Sequence, residues 1–105
     1  MILADVAHSR AGDKGTIVNV SVIAFDPRDY AWLESVVTAD RIREHLAGVA
    51  DGPVTRYALP NLGAFNFVFT RRPGRSVTRT LDLDPHGKSL SSIVLAMPVP
   101  DRPSE

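Results

Sequence analysis

The 105-residue sequence contains no cysteine. Disulfide scaffolds, thiolate zinc sites, iron–sulfur clusters and cysteine nucleophiles are therefore excluded. Neither charge is in excess, because twelve basic residues balance twelve acidic ones. This balance gives no electrostatic reason to expect nucleic acid or an anionic membrane as a partner. Any chemistry must come from oxygen and nitrogen side chains.

Long hydrophobic runs are also missing, since no apolar stretch approaches the ~20 residues that span a bilayer. The first residues, Met1 to Asp5, lack the basic segment of a signal peptide. We therefore expect a cytoplasmic protein without membrane association. The composition, 44% hydrophobic and 23% charged, is typical of a globular domain. We assign one domain to residues 1–98 and a flexible, proline-rich tail to residues 99–105.

Alternating apolar residues predict strands over 2–8, 17–25, 54–59 and 77–83. Asp26 and Pro27 are typical of a helix start, and the apolar stripe after them predicts two short helices, or one broken helix, over 27–47. Leu90, Ile93, Val94 and Met97 have the spacing of an amphipathic helix. Residues 64–70 fit either a strand or a helix.

The predicted order of elements is β-β-α-β-β-α. Helices that cover one face of an antiparallel sheet form a two-layer α+β sandwich. A ferredoxin-like fold has the order β-α-β-β-α-β, so the predicted order is its circular permutation. We therefore expect a permuted ferredoxin-like sandwich with an elaborated connection over 61–76.

The densest polar segment is His8 to Thr16, and the part from Ser9 to Thr16 is interpreted as the enlarged loop of a hairpin. Gly12 and Gly15 allow backbone amides to turn toward an anion, with Arg10 and Lys14 as charged contacts. The competing interpretation is a plain polar hairpin loop in which the two glycines provide positive φ. Neighbouring side chains of a strand point to opposite faces, which argues against a direct His8–Ser9 hydrogen bond.

Asn19 and Asn66 are polar residues in apolar surroundings. Each either satisfies local backbone groups or faces the same ligand as the polar segment. Phe65, Phe67 and Phe69 share a face if the segment is extended, and belong to the core or to an interface. The three histidines do not have the spacing of metal ligands, so we expect no metal and no cofactor.

Five segments resemble, in the same order, the small ferredoxin-fold domain of the AtuA-like (acyclic terpene utilisation) family. They are Leu3-Ala4-Asp5-Val6-Ala7-His8-Ser9-Arg10, Gly12-Asp13-Lys14-Gly15 with Asn19 and Val22-Ile23-Ala24, Leu62-Gly63-Ala64-Phe65-Asn66-Phe67-Val68, Asp84-Pro85-His86-Gly87-Lys88-Ser89-Leu90, and Met97-Pro98-Val99. The resemblance spans residues 2–99. The chain departs from the family pattern at Thr16, which stands in place of an acidic residue.

The resemblance implies a domain that is either fused to a larger AtuA-type region or encoded as a separate short protein. It also implies a role in the breakdown of acyclic terpenes and related branched acids through acyl-CoA thioesters. We therefore expect an accessory or co-catalytic subunit of a large AtuA-like chain, inactive alone, with an anionic or acyl-CoA ligand. The expected catalytic residues are His8 and Asp13. The expected ligand-binding residues are Ser9, Arg10, Gly12, Lys14, Gly15, Asn19 and Asn66.

Two other interpretations stay open at this point. The first is a stand-alone, homo-oligomeric module that binds an anionic small molecule without a large partner. The second is a small acylphosphatase-type hydrolase, which ranks last because Arg10 precedes the glycines instead of ending the phosphate loop.

Overall fold

The computed structural model describes residues 1–71 and 90–102. Its strands are β1 (Ala7–Lys14), β2 (Ile17–Ala24), β3 (Ala50–Leu59) and β4 (Ala64–Arg71). Its helices are α1 (Tyr30–Val36), α2 (Ala39–His45) and α3 (Leu90–Leu95), and 3₁₀ turns lie at Leu3–Asp5, Pro27–Asp29 and Pro60–Leu62. The strands form one sheet in the order β1-β2-β4-β3, and all neighbours are antiparallel.

The strand order confirms the permuted ferredoxin-like sandwich. Strand β4 lies between β2 and β3, and the α1–α2 pair connects these two strands across it. Moving β1 from the beginning of the chain to its end restores the ferredoxin-like order of elements. The predicted strand at 77–83 lies outside the described residues, and β4 is formed instead by the segment that fitted either a strand or a helix.

The core lies between the helices and one face of the sheet. Side chains alternate along the strands, so that every second residue of β2 and β4 is buried. The buried residues on the sheet side are Val18, Val20, Val22, Phe65, Phe67 and Phe69. Leu33, Ile42, Leu46 and Val94 cover them from the helical layer. The three phenylalanines therefore belong to the core and not to an interface.

Of the two alternatives for residues 27–47, the structure confirms two short helices, because the chain breaks at Val37 and Thr38. Val37 has φ −99° and ψ 74°, outside the helical region, and the Thr38 hydroxyl accepts a hydrogen bond from the N–H of Arg41 at 3.2 Å. This N-cap starts α2. Asp26 caps the preceding 3₁₀ turn in the same way, accepting from the N–H of Arg28 at 2.9 Å.

The predicted first strand and the predicted loop after it are wrong. Residues 3–5 form a 3₁₀ turn because the Asp5 carboxylate accepts a hydrogen bond from the N–H of Ile2 at 2.9 Å. Strand β1 begins only at Ala7 and continues through the polar segment to Lys14, since its backbone pairs with β2 along its whole length. Backbone pairing overrides the weak strand propensity of these residues.

The turn between β1 and β2 comprises only Gly15 and Thr16. Gly15 has φ +67°, whereas Thr16 has no positive φ. A positive φ at the first turn residue alone is the pattern of a type II′ hairpin, which favours glycine there.

Among the described residues, β1 and β3 form the two edges of the sheet, and both carry features that discourage further strand pairing. The edge strand β1 presents Arg10 and Lys14, and the other edge strand, β3, has an irregularity between Asp51 and Thr55 that includes Pro53. Charged residues, bulges and proline are common devices for blunting sheet edges.

The segment after α3 returns to the start of the chain. Ile2 forms an antiparallel bridge with Pro98, and the N–H of Val99 donates to the carbonyl of Met1 at 3.0 Å. Val99 is buried, and Arg102 forms an ion pair with Asp29 at 3.0 Å. Val99 thus packs with the domain, beyond the boundary expected at residue 98. Residues 103–105 of the expected tail lie outside the described residues.

Candidate functional site: the helix-free face of the sheet

The described helices pack on one face of the sheet, and the opposite face is called here the open face. Register and alternation assign to it four residues each of β1, β2, β3 and β4. They are His8, Arg10, Gly12, Lys14, Ile17, Asn19, Ser21, Ile23, Asp51, Thr55, Tyr57, Leu59, Ala64, Asn66, Val68 and Thr70. Six of the nine expected site residues are among them.

A continuous row of polar side chains crosses the open face. Arg10 pairs with Ser21, Ser21 with Asn66, and Asn66 with Tyr57, so that each strand contributes one member. We call these four residues the polar row. The Ser21 hydroxyl accepts from the N–H of Arg10 at 3.2 Å and donates to its carbonyl at 3.3 Å. Directly opposed residues of antiparallel strands have neighbouring side chains, so the row offers adjacent hydrogen-bonding groups.

Two cations flank a glycine on β1. Arg10 and Lys14 lie on either side of Gly12 on the same face, with Cα atoms roughly 13 Å apart by strand geometry. The Asn19 amide lies over Gly12, where a Cβ would meet its Nδ2 at 3.7 Å and its Oδ1 at 3.8 Å. The amide therefore lies in van der Waals contact with the position that a Cβ at residue 12 would take. Two exposed cations around an amide suit the carboxylate or phosphate of a ligand.

One end of the open face is apolar and exposed. Phe25, Leu59 and Leu62 retain 61%, 39% and 69% of their accessible surface, although large apolar side chains are usually buried. The His8 ring stacks on Phe25, with centroids 5.6 Å apart and planes 15° apart. This contact fixes the imidazole beside the polar row and leaves its outer side accessible.

Three of the expected site residues do not belong to the open face. Ser9 pairs with Val22 and Asp13 with Val18, which places both on the helical side of the sheet. His8 and Asp13 therefore do not share a face. Gly15 lies in the turn, and Gly12 lies within β1 without a positive φ. The two glycines consequently do not form the anion-binding loop that the sequence suggested.

The structure adds three residues to the site. Ser21 lies within β2 and Phe25 directly after it, both in alternation with Asn19. The alternation of apolar and polar residues in the sequence already grouped them on one face. Tyr57, however, joins the polar row only through the register between β3 and β4. Sequence spacing alone contains no signal for that pairing, because β4 could not be distinguished from a helix.

Clefts next to α2 are lined by charged residues. One, of about 470 Å³, lies between α2 and the start of β3 and is lined by Asp40, Arg43, Glu44, Ala47, Ala50, Asp51 and Gly52. The search of the described residues found no group of three or more histidine or acidic residues that could hold a metal ion. No helix within 1–71 or 90–102 has the length and apolarity to cross a membrane.

Together, fold and face define a small α+β sandwich whose partly polar sheet face carries no helix of residues 1–71 or 90–102. The family model described as the AtuA ferredoxin-like domain matches residues 1–100. The chain belongs to this family, as the sequence motifs indicated. The search of curated proteins found no match, and neither did the search of solved structures.

Proposed function

We propose that the chain is an accessory or co-catalytic subunit that docks through its open face on a large AtuA-type chain. The open face supplies polar side chains to a site that the large chain completes. The observation that carries the proposal is that the polar row lies on the sheet face opposite the helices of the described residues. A shared site requires this arrangement, because the second surface must reach the polar groups directly.

The cations of β1 suit the anionic part of a ligand. Arg10 and Lys14 would contact a carboxylate or a phosphate, and the Asn19 and Asn66 amides would hydrogen-bond to its oxygens or to a thioester carbonyl. Such groups occur in the branched acyl-CoA compounds that the family resemblance implies. The ligand class rests on this resemblance together with the charge of the face.

His8 is the residue that we assign to proton transfer. Imidazole exchanges protons near neutral pH, and the stack on Phe25 holds the His8 ring at the rim of the polar row. Asp13 does not face the same side of the sheet and is therefore left out of the proposed proton-transfer step. The protein alone is expected to be inactive, because the second half of the site belongs to the large chain.

The exposed apolar end provides the contacts for docking. Phe25 and Leu62 are the two most exposed large apolar side chains among the described residues, and such side chains anchor interfaces when a polar rim surrounds them. The blunted edges of the sheet disfavour docking by strand addition. The face, and not an edge, is therefore the surface that we assign to the large chain.

The test is co-purification of the tagged chain from its own host, with identification of bound proteins and the molar mass of the eluted complex. We expect an AtuA-type chain in stoichiometric amount. Arg10→Ala and Phe25→Ala should each weaken the complex at least tenfold. Arg43→Ala, an exposed change on α2 away from the open face, should leave it unchanged.

Recovery of this chain alone, from an extract that contains the AtuA-type chain, would contradict the proposal. If the isolated chain then bound an anionic ligand by itself, the stand-alone module would be the better description.

A further inference from the structure

We infer that a second copy of this chain covers the open face when no other protein does. The two copies are related by a two-fold axis that lies in the interface, parallel to the strands and between β2 and β4. This inference does not depend on the proposed function, because it rests only on how residues are distributed across the face. It concerns the isolated protein, whereas the proposed function concerns its complex with a large chain.

The two-fold axis places each cross-strand row of residues opposite the same row of the second copy, with the order of the four strands reversed. Rotation about an axis parallel to the strands keeps the height along the strands and exchanges β1 with β3, and β2 with β4. Lys14, Ile17, Thr70 and Asp51 form one such row. Lys14 therefore faces Asp51 of the second copy, and Asp51 faces Lys14, so the contact gives two opposite-charge pairs.

The polar row is self-complementary under the same rotation. Arg10 faces Tyr57 of the second copy, which is a pairing of a guanidinium with an aromatic ring. Ser21 faces Asn66 of the second copy. The Ser21 hydroxyl donates its proton to the Arg10 carbonyl, and its remaining lone pair can accept a hydrogen bond from the Asn66 amide of the second copy. An isologous interface has this reciprocity, since the same patch is used on both sides.

The geometry of stacked sheets permits these contacts. The strands of two aligned sheets cross at about 30°. An edge strand lies about 7 Å from the axis, so the crossing shifts its residues along the strand by roughly 4 Å relative to the residues that they face. Lysine and arginine side chains can bridge that displacement. Lys14 and Arg10 lie on the edge strand β1, where this reach is needed, whereas the shorter Ser21 and Asn66 lie next to the axis.

The size of the face indicates a reversible dimer. Four strands about 4.8 Å apart, with about seven residues each, give a face of roughly 440 Å² in plan. Two such faces bury about 900 Å², which is typical of weak or transient association. Such a dimer can exchange its second copy for another protein that covers the same face.

The experiment measures the molar mass of the isolated chain by sedimentation equilibrium over a wide concentration range. We expect a concentration-dependent dimer that weakens as salt rises, because Lys14 and Asp51 are exposed. Lys14→Glu and Asp51→Lys should each raise the dissociation constant at least tenfold. The double variant, which restores both pairs with reversed sign, should return it to within about threefold of the original value.

Arg43→Glu is the matched control, since it makes the same change of charge on α2, away from the open face. A second measurement does not depend on variants. Carbodiimide coupling joins a lysine amine to a carboxylate with loss of water, and the sequence contains only two lysines, Lys14 and Lys88. The coupled dimer should yield a peptide that links Lys14 to Asp51.

A monomer at every concentration would overturn the inference. So would a dimer that both single variants leave unchanged, or a coupled dimer without the Lys14–Asp51 link. Each of these three results would leave the proposed function intact, because co-purification with a large chain is measured separately. Conversely, failure of co-purification would not affect the dimer of the isolated chain.

Discussion

The guanidinium of Arg56 lies 5.2 Å from the centre of the Phe65 ring. Tyr30 stacks on the same ring, with centroids 4.8 Å apart and planes 7° apart. Arg56 also donates from Nη1 to the carbonyls of Glu34 at 2.7 Å and Val37 at 2.9 Å, at the end of α1. This one side chain therefore connects β3, β4 and the C-terminus of α1, where a cation complements the helix dipole.

Arg56→Met should lower the free energy of unfolding by about 2 kcal/mol, because two helix carbonyls lose a charged donor while the apolar stem is kept. The measurement is urea denaturation of the original chain and the variant. Arg43→Met, on the exposed surface of α2, should change it by less than about 0.5 kcal/mol. Equal effects of the two substitutions would show that the contacts of Arg56 contribute nothing specific.

Gly15→Ala should lower the free energy of unfolding by about 1 kcal/mol or more, because the turn holds this residue at φ +67°. Gly48→Ala is the matched control. A Cβ at position 48 would meet nothing within 4 Å, and Gly48 has no positive φ. The control should be neutral or slightly stabilising in the same denaturation experiment. A neutral Gly15→Ala would contradict the two-residue turn between β1 and β2.

Hydrogen bonds from the side chain and the backbone of Arg28 hold the pKa of Asp26 below its usual value of 3.8. A carboxyl group whose pKa is lowered in the folded state stabilises the fold above its unfolded pKa. This contribution is lost as the pH falls through the folded pKa, so its window lies below about pH 4.

Titration of the Asp26 carboxyl by NMR should show the lowered pKa, and Arg28→Ala should move it toward 3.8. The backbone N–H of residue 28 still donates in that variant, so part of the shift should remain. An unchanged pKa would show that the Arg28 side chain, 2.8 Å from Asp26 Oδ2, does not stabilise the carboxylate in solution.

Periodicity predicted the parts of the fold that have strong local patterns. The alternation of β2 and the apolar stripes of α1, α2 and α3 gave the correct class of fold. The β1 segment was misjudged because glycine and charged residues have low strand propensity. Its conformation depends on pairing with β2, a neighbour in the sheet whose influence no local pattern reveals.

The candidate site was predictable only in its residue types. Arg10 and Lys14 stood out as cations near glycines and Asn19 as a polar residue in an apolar strand, and the structure places them on one face. Ser9 and Asp13 lie on the opposite face because side chains alternate along β1. The sequence analysis expected a loop over these residues and therefore did not apply strand alternation to them. Tyr57 required the register of β3 on β4, a tertiary relationship that a single sequence does not contain.

The polar row also determines which surfaces the open face rejects. In the free protein, water can satisfy the exposed hydrogen-bonding groups of Arg10 and Tyr57 at little cost. A flat apolar surface that expelled this water without replacing its hydrogen bonds would leave buried donors and acceptors unsatisfied, at about 1–3 kcal/mol each. The face thus discriminates against nonspecific hydrophobic association and keeps its exposed phenylalanine and leucines for a surface with matching polar groups.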